Sequence, residues 1–104
     1  MTFELRTYTA TPGRLEDVVT RFRDHTVGLL ARHGMESVGY WTATNRADIL
    51  IYIVRHTGDP ETSWRDFRHD PDWIDARDKS LVNGEIVEHI DSVFMTPTDF
   101  SAIS

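Results

Sequence analysis

The stretch DILIYIVRH, Asp48 to His56, decides the fold. It reads as a β-strand whose two faces are both apolar: Ile49, Ile51 and Ile53 on one, Leu50, Tyr52 and Val54 on the other. Such a strand sits in the middle of a sheet and needs cover above and below. The chain has 104 residues, a length that suits one domain over residues 1–104 with helices enough for one face only. We read Leu50, Tyr52 and Val54 as the face the helices leave bare. Exposing them would forgo roughly 1.5–3 kcal/mol each. A second copy of the same chain, sheet against sheet, is the expected cover. The competing reading is a monomer in which Tyr52 and Val54 stay partly exposed.

Working outward from this strand, the rest of the fold follows. Phe3 to Thr9 alternates as a first strand and ends at Thr11-Pro12-Gly13. Leu15, Val18, Val19, Phe22, Leu29 and Leu30 make an apolar stripe, which predicts a helix from Arg14 to His33 stopped by Gly34. Met35 to Ala43 is the second strand, joined to the third by the turn Thr44-Asn45-Arg46-Ala47. Asp59-Pro60 and Asp70-Pro71 are two helix starts of the same chemistry, an aspartate cap before a proline. They predict helices over Asp59–His69 and Asp70–Leu81, meeting at an angle. Asn83-Gly84 is a turn, and Glu85 to Met95 is the fourth strand. The order strand, helix, strand, strand, helix, strand is the split βαβ, or ferredoxin-like, arrangement. The fold class is α+β, with a four-stranded antiparallel sheet, both helical regions on one face, and two sheets closing into an α/β barrel across a dimer.

Composition narrows the functions. Net charge is −6 and the pI about 5.2, so phosphate backbones are repelled and nucleic acid is not an expected partner. There is no cysteine, which removes disulfides, thiolate zinc sites and cysteine nucleophiles. No apolar run approaches the roughly 20 residues of a membrane span. The start MTFELRTYTA lacks a signal peptide's basic region and apolar core. The expected location is the cytoplasm.

Three segments carry a family resemblance. Glu4-Leu5-Arg6-Thr7-Tyr8 with Pro12-Gly13, then Gly34 with Gly39-Tyr40-Trp41, then Pro97-Thr98-Asp99-Phe100-Ser101, together resemble the NIPSNAP family in order and spacing. The resemblance implies the dimeric α/β-barrel superfamily and leaves the reaction open. Proteins of that superfamily include cofactor-free monooxygenases, enzymes that decompose small molecules and haem-handling proteins, and fold does not choose among them. One departure is visible. Family members often end the third strand with a Trp and a Tyr, where this chain has Ile53-Val54-Arg55.

The candidate site residues come from position. His25 lies about 60° from Phe22 around an ideal helix, at the edge of the apolar stripe, where a histidine is able to act as a general base near neutral pH. A hydrogen-bonded, half-buried histidine fits the same position. His33, before Gly34, reads as a cation at a helix C-terminus. The two lie about 12 Å apart along the axis and cannot share an ion, so no metal site is expected, and no cofactor is implied. Arg6 and Tyr8 project from a central strand opposite Leu5, inside a barrel, as a structural pair or as ligand contacts. Tyr40 and Trp41 point to opposite faces of the second strand.

Because the second helical region is broken at Asp70-Pro71, a cavity is expected beside the break, within reach of Trp64, Arg68 and Trp73. Those aromatics, with Phe67 and Ile74, serve equally well as core. With His25 as base and Arg68 as anion partner, the cavity suits a planar, weakly acidic organic molecule. Two functions stay open: a binding protein or enzyme for a small, largely apolar or aromatic molecule, including cofactor-free monooxygenase-like chemistry, or a non-catalytic homodimeric scaffold.

Overall fold

The computed structural model describes residues 1–104. Strands β1 (Thr2–Ala10), β2 (Met35–Thr42), β3 (Ile49–His56) and β4 (Val87–Met95) form one antiparallel sheet in the order β2-β3-β1-β4. The helices are α1 (Leu15–Arg21), α2 (Val27–Arg32), α3 (Pro60–His69) and α4 (Pro71–Ser80). The split βαβ order is thus present, with β1 and β3 in the centre. No helix is long and apolar enough to cross a membrane.

Both aspartate caps form as their chemistry dictates. The Asp59 carboxylate accepts the Thr62 backbone N–H at 2.9 Å, and the Asp70 carboxylate accepts that of Asp72 at 2.9 Å. Asp70 also receives His33 Nε2 at 2.7 Å and Arg32 Nη1 at 2.9 Å, so the kink between α3 and α4 is pinned to the end of α2. Gly34 takes a left-handed φ of 75° after α2. Its carbonyl accepts both the backbone N–H and the hydroxyl of Thr57 at 3.0 Å. A Cβ there would meet Thr57 Oγ1 at 2.8 Å.

The first helical region departs from the single α-helix expected over Arg14–His33. Between α1 and α2 lies a π-helical turn, Phe22–Thr26. The Val27 N–H reaches back to the Phe22 carbonyl, and the Thr26 hydroxyl donates to the Arg21 carbonyl at 3.3 Å. A wider turn rotates each residue by less than 100°. It keeps Val18, Phe22, Leu29 and Leu30 in the core and carries His25 further from the stripe, into solvent.

The face assignment of β3 needs correcting. Leu50, Tyr52 and Val54 lie under the helices in a core with Tyr8, Phe22, Leu30, Met35 and Ile86; the open face carries Ile49, Ile51 and Ile53. The strand's own pattern is nearly symmetric, so it does not choose. The choice is made by β1, where Arg6 stands opposite Tyr52 and Tyr8 opposite Leu50. Tyr52 needs a partner for its hydroxyl, and the Tyr8 hydroxyl supplies one at 3.2 Å. On the open side Ile51 and Ile53 are half-buried, while Trp41 and Val93 remain 51% and 55% exposed.

Candidate functional site

β1 builds the site by alternation. Glu4, Arg6 and Tyr8 all project to the helix side of the sheet, not into the space a second sheet would close. Glu4 is 1% exposed, a burial that a carboxylate tolerates only when its oxygens are satisfied. Its Oε1 accepts His56 Nε2 at 2.7 Å and Trp64 Nε1 at 2.8 Å. Its Oε2 accepts the Ser92 hydroxyl at 2.5 Å and Arg6 Nη1 at 3.1 Å. From Arg6 the chain of bonds runs on: Nη2 donates to the Tyr8 hydroxyl at 3.2 Å, which meets the Tyr52 hydroxyl. The Arg6 guanidinium lies over Trp64, its central carbon 4.1 Å from the ring centre. Strands β1, β3 and β4 and helix α3 are thereby tied together by one polar network.

The network sets its own protonation. Burial pushes the Glu4 carboxyl up, but hydrogen bonds from Ser92, Trp64, His56 and Arg6 outweigh it and hold it below its ordinary value. Burial pushes Arg6 down; the oxygens of Tyr8, Tyr52 and Glu4 overcome this and leave it more firmly protonated than a free arginine. Burial, then the neighbouring Tyr8, raises Tyr52 well above its usual range. Tyr52 is therefore a neutral phenol at physiological pH and not a base.

Beside the network opens a cleft of about 550 Å³. It exists because the helices cover β2, β3 and β1 and fall short of β4. On that edge strand Ile90 and Phe94 point to the helix side, yet are 43% and 56% exposed. Arg6 and Tyr8 form the floor, with Trp64, Phe67 and Trp73 as an aromatic wall around the break between α3 and α4. Phe67 and Trp73 lie 4.8 Å apart, and Trp64 meets Phe67 edge-on at 5.4 Å. Four arginines, Arg6, Arg21, Arg68 and Arg77, line the cleft against two glutamates, Glu85 and Glu88. An acidic chain thus carries a locally cationic hollow.

Of the residues expected from sequence, the structure brings Arg6, Tyr8, Trp64, Arg68 and Trp73 to this cleft. It places the other three elsewhere. Tyr40 stacks on Tyr52 at 5.3 Å and packs near Phe22. Trp41 lies on the open face, folded over Gly39, where a Cβ would stand 2.6 Å from the indole. His25 is exposed and borders shallow grooves beside α4, not the cleft, so it shares no pocket with Arg68. His25 and Arg68 therefore do not face one ligand as base and anion partner, because the π turn carries His25 into solvent.

The sequence reading missed Glu4, Arg21, Tyr52, His56 and Ser92. Glu4 had a signal, since it shares the parity of Arg6 and Tyr8. Arg21 had none beyond its place next to Phe22, because its neighbours come from α4 some sixty residues away.

The NIPSNAP family model matches residues 3–102. A NIPSNAP family protein of unknown function from Agrobacterium tumefaciens superposes with a TM-score of 0.84 at 20% identity, covering 100% of this chain and 94% of that one. An uncharacterized NIPSNAP domain protein from Burkholderia xenovorans gives 0.79 at 21% identity, covering 97% and 98%. A putative antibiotic biosynthesis monooxygenase from Nitrosomonas europaea gives 0.67 at 8% identity, covering 93% and 98%. At such identities the likeness is one of fold. No curated protein matches the sequence.

Proposed function

The chain belongs to the NIPSNAP family, and from that premise we propose that it binds a small, largely apolar or aromatic molecule in the cleft between the helices and β4. One observation carries the reading: an open hollow of about 550 Å³ walled by Trp64, Phe67 and Trp73 above a polar network centred on the buried Glu4. Pockets of this size and make-up are the usual seats of small organic ligands. The aromatic faces supply area, and the floor supplies a few fixed donors. The catalytic form of the reading is a cofactor-free, monooxygenase-like oxidation of the bound molecule. Its support is the fold shared with monooxygenases and a cleft wide enough for a ring system.

The test is native mass spectrometry of the protein purified from its own host. A co-purifying organic molecule is expected, and Ile90→Trp, which fills the cleft from the exposed side of β4, should abolish it while leaving the fold intact. Protein that carries no adduct and shows no change in tryptophan fluorescence with aromatic compounds would favour the scaffold reading.

A second proposal concerns assembly. Leu5, Ile51, Ile53, Trp41 and Val93 share the sheet face that no helix covers, as the ladder register places them. We infer a homodimer formed through this face, in which neither partner blocks the cleft on the opposite side. Sedimentation at micromolar concentration should show twice the 12.0 kDa chain mass; a lone monomer would end the proposal.

A further inference from the structure

Arg21 is a buried cation with no anion. The residue is 8% exposed, yet no carboxylate lies within ion-pair distance of it, and its Nε has no hydrogen-bond partner. Nη1 donates to the Ser80 hydroxyl at 3.1 Å, and the guanidinium sits 5.0 Å from the centre of the Trp73 ring. Neither contact neutralises it. The charged groups around it do not either. Arg77 repels it, and Glu85, the carboxylate that favours its charge, is exposed on the chain before β4. In the outer groove beside α1, Asp17 is taken by Arg14 at 2.5 Å, and Asp24 is not in contact. Arg6, in the same cleft, differs: Glu4 already pairs with it.

Burying a charge without its counter-charge is among the costlier things a fold can do. Arg21 lines the aromatic cleft, where a ligand's acidic group would supply what the chain withholds. Resting on the proposed binding role of the cleft, we infer that its ligand is an aromatic or apolar acid whose anionic oxygen is received by Arg21, with the ring against Trp73 and Phe67. Arginine suits this role because its planar fork meets a carboxylate in two parallel bonds while its face stays on an indole.

The experiment compares two isosteric probes, 2-naphthoate and neutral 2-naphthamide, titrated calorimetrically into wild type, Arg21→Met, Arg21→Lys and the surface charge control Arg65→Met. Wild type should bind the acid at least tenfold tighter than the amide. Arg21→Met should erase that preference by weakening the acid alone, and should leave the thermal midpoint unchanged or raised, because an unpaired buried charge is gone. Arg21→Lys should keep part of the preference, and Arg65→Met all of it. Equal binding of acid and amide by wild type overturns the anion assignment and leaves the apolar cleft standing. So does a preference that survives in Arg21→Met. Binding of neither probe removes the cleft reading and this inference with it. Should Arg21→Met fail to fold, the wild-type preference and the Arg21→Lys series decide the question.

Discussion

The two faces of one sheet solve the same problem in opposite ways. On the helix side, β1 presents Glu4, Arg6 and Tyr8; the two charges pair with each other, and Glu4 takes further donors from β3, β4 and α3. On the open side, the same strand presents Phe3, Leu5 and Thr7 beside Ile51 and Ile53, and the charges that share this face, Arg55 with Glu36 and His89 with Asp91, pair with each other on the flanking strands and not with β1. The first face is specified by hydrogen-bond geometry, which admits few arrangements. The second is specified at its centre by area, which any complementary apolar surface satisfies. A face of the first kind can host a selective site; one of the second kind is suited to being covered.

Adjacent residues of β3 break this comparison most sharply. Leu50→Lys forces an ammonium among Tyr8, Phe22 and Tyr52. The expected outcome is loss of the folded state, since the cost exceeds about 4–5 kcal/mol. Ile51→Lys, one residue on, should leave circular dichroism unchanged and shift the sedimentation profile toward monomer. Two variants that unfold alike would show that the faces are not distinct.

That pair also marks how far the sequence was legible. Strand order, both helix starts and the doubly apolar β3 were readable, because caps and alternation are local chemistry. Which face of β3 meets the helices was not. That is settled by partners from β1 across the ladder, and the reading took Arg6 and Tyr8 for residues inside a barrel. The π turn was equally invisible: the stripe from Leu15 to Leu30 fits a plain α-helix, and only packing decides where one turn widens. A cavity with Arg68 beside it was anticipated from the break at Asp70-Pro71, but Arg21 was not. Arg21 acquires its meaning from Ser80 and Trp73, which lie far along the chain.

Glu4→Ala attacks the polar face at its hub. It strips a counter-charge from Arg6 and leaves the Trp64 and His56 donors buried and unpaired. Breaking a buried pair in this way costs about 3–5 kcal/mol, and urea denaturation should show the midpoint falling accordingly. A loss below about 1 kcal/mol would mean that water enters the cleft floor and replaces the carboxylate.

Smaller effects come from the tyrosine pair. Tyr8→Phe and Tyr52→Phe each remove one partner of the 3.2 Å contact between hydroxyls, at about 1 kcal/mol apiece. The double variant should cost less than the sum, because the second deletion finds the bond already gone. Strict additivity would show that each hydroxyl is held by Arg6 or water independently of the other.

The least expected effect is a slope. Glu4 sits below its ordinary carboxyl value, since its four donors outweigh burial. Asp70 is held at about 2, chiefly by the His33 hydrogen bond, then by the Asp72 backbone N–H and Arg32. A carboxyl whose folded value is depressed binds its proton more readily in the unfolded chain. Its contribution is therefore complete above the unfolded value, near 4.5 for Glu4 and 3.8 for Asp70, and is lost as pH falls from there through the folded value. Urea midpoints measured from pH 6 to pH 2.5 should hold steady at first and then decline. Glu4→Gln should flatten the upper part of the decline and Asp70→Asn the lower part, because the two windows are offset. Asp70 lies outside the cleft network, so its variant reports on the kink between α3 and α4 and its tie to the end of α2. If Asp70→Asn also flattened the upper window, the kink and the polar face would be energetically coupled, and the break beside the cleft would belong to the same cooperative unit as Glu4.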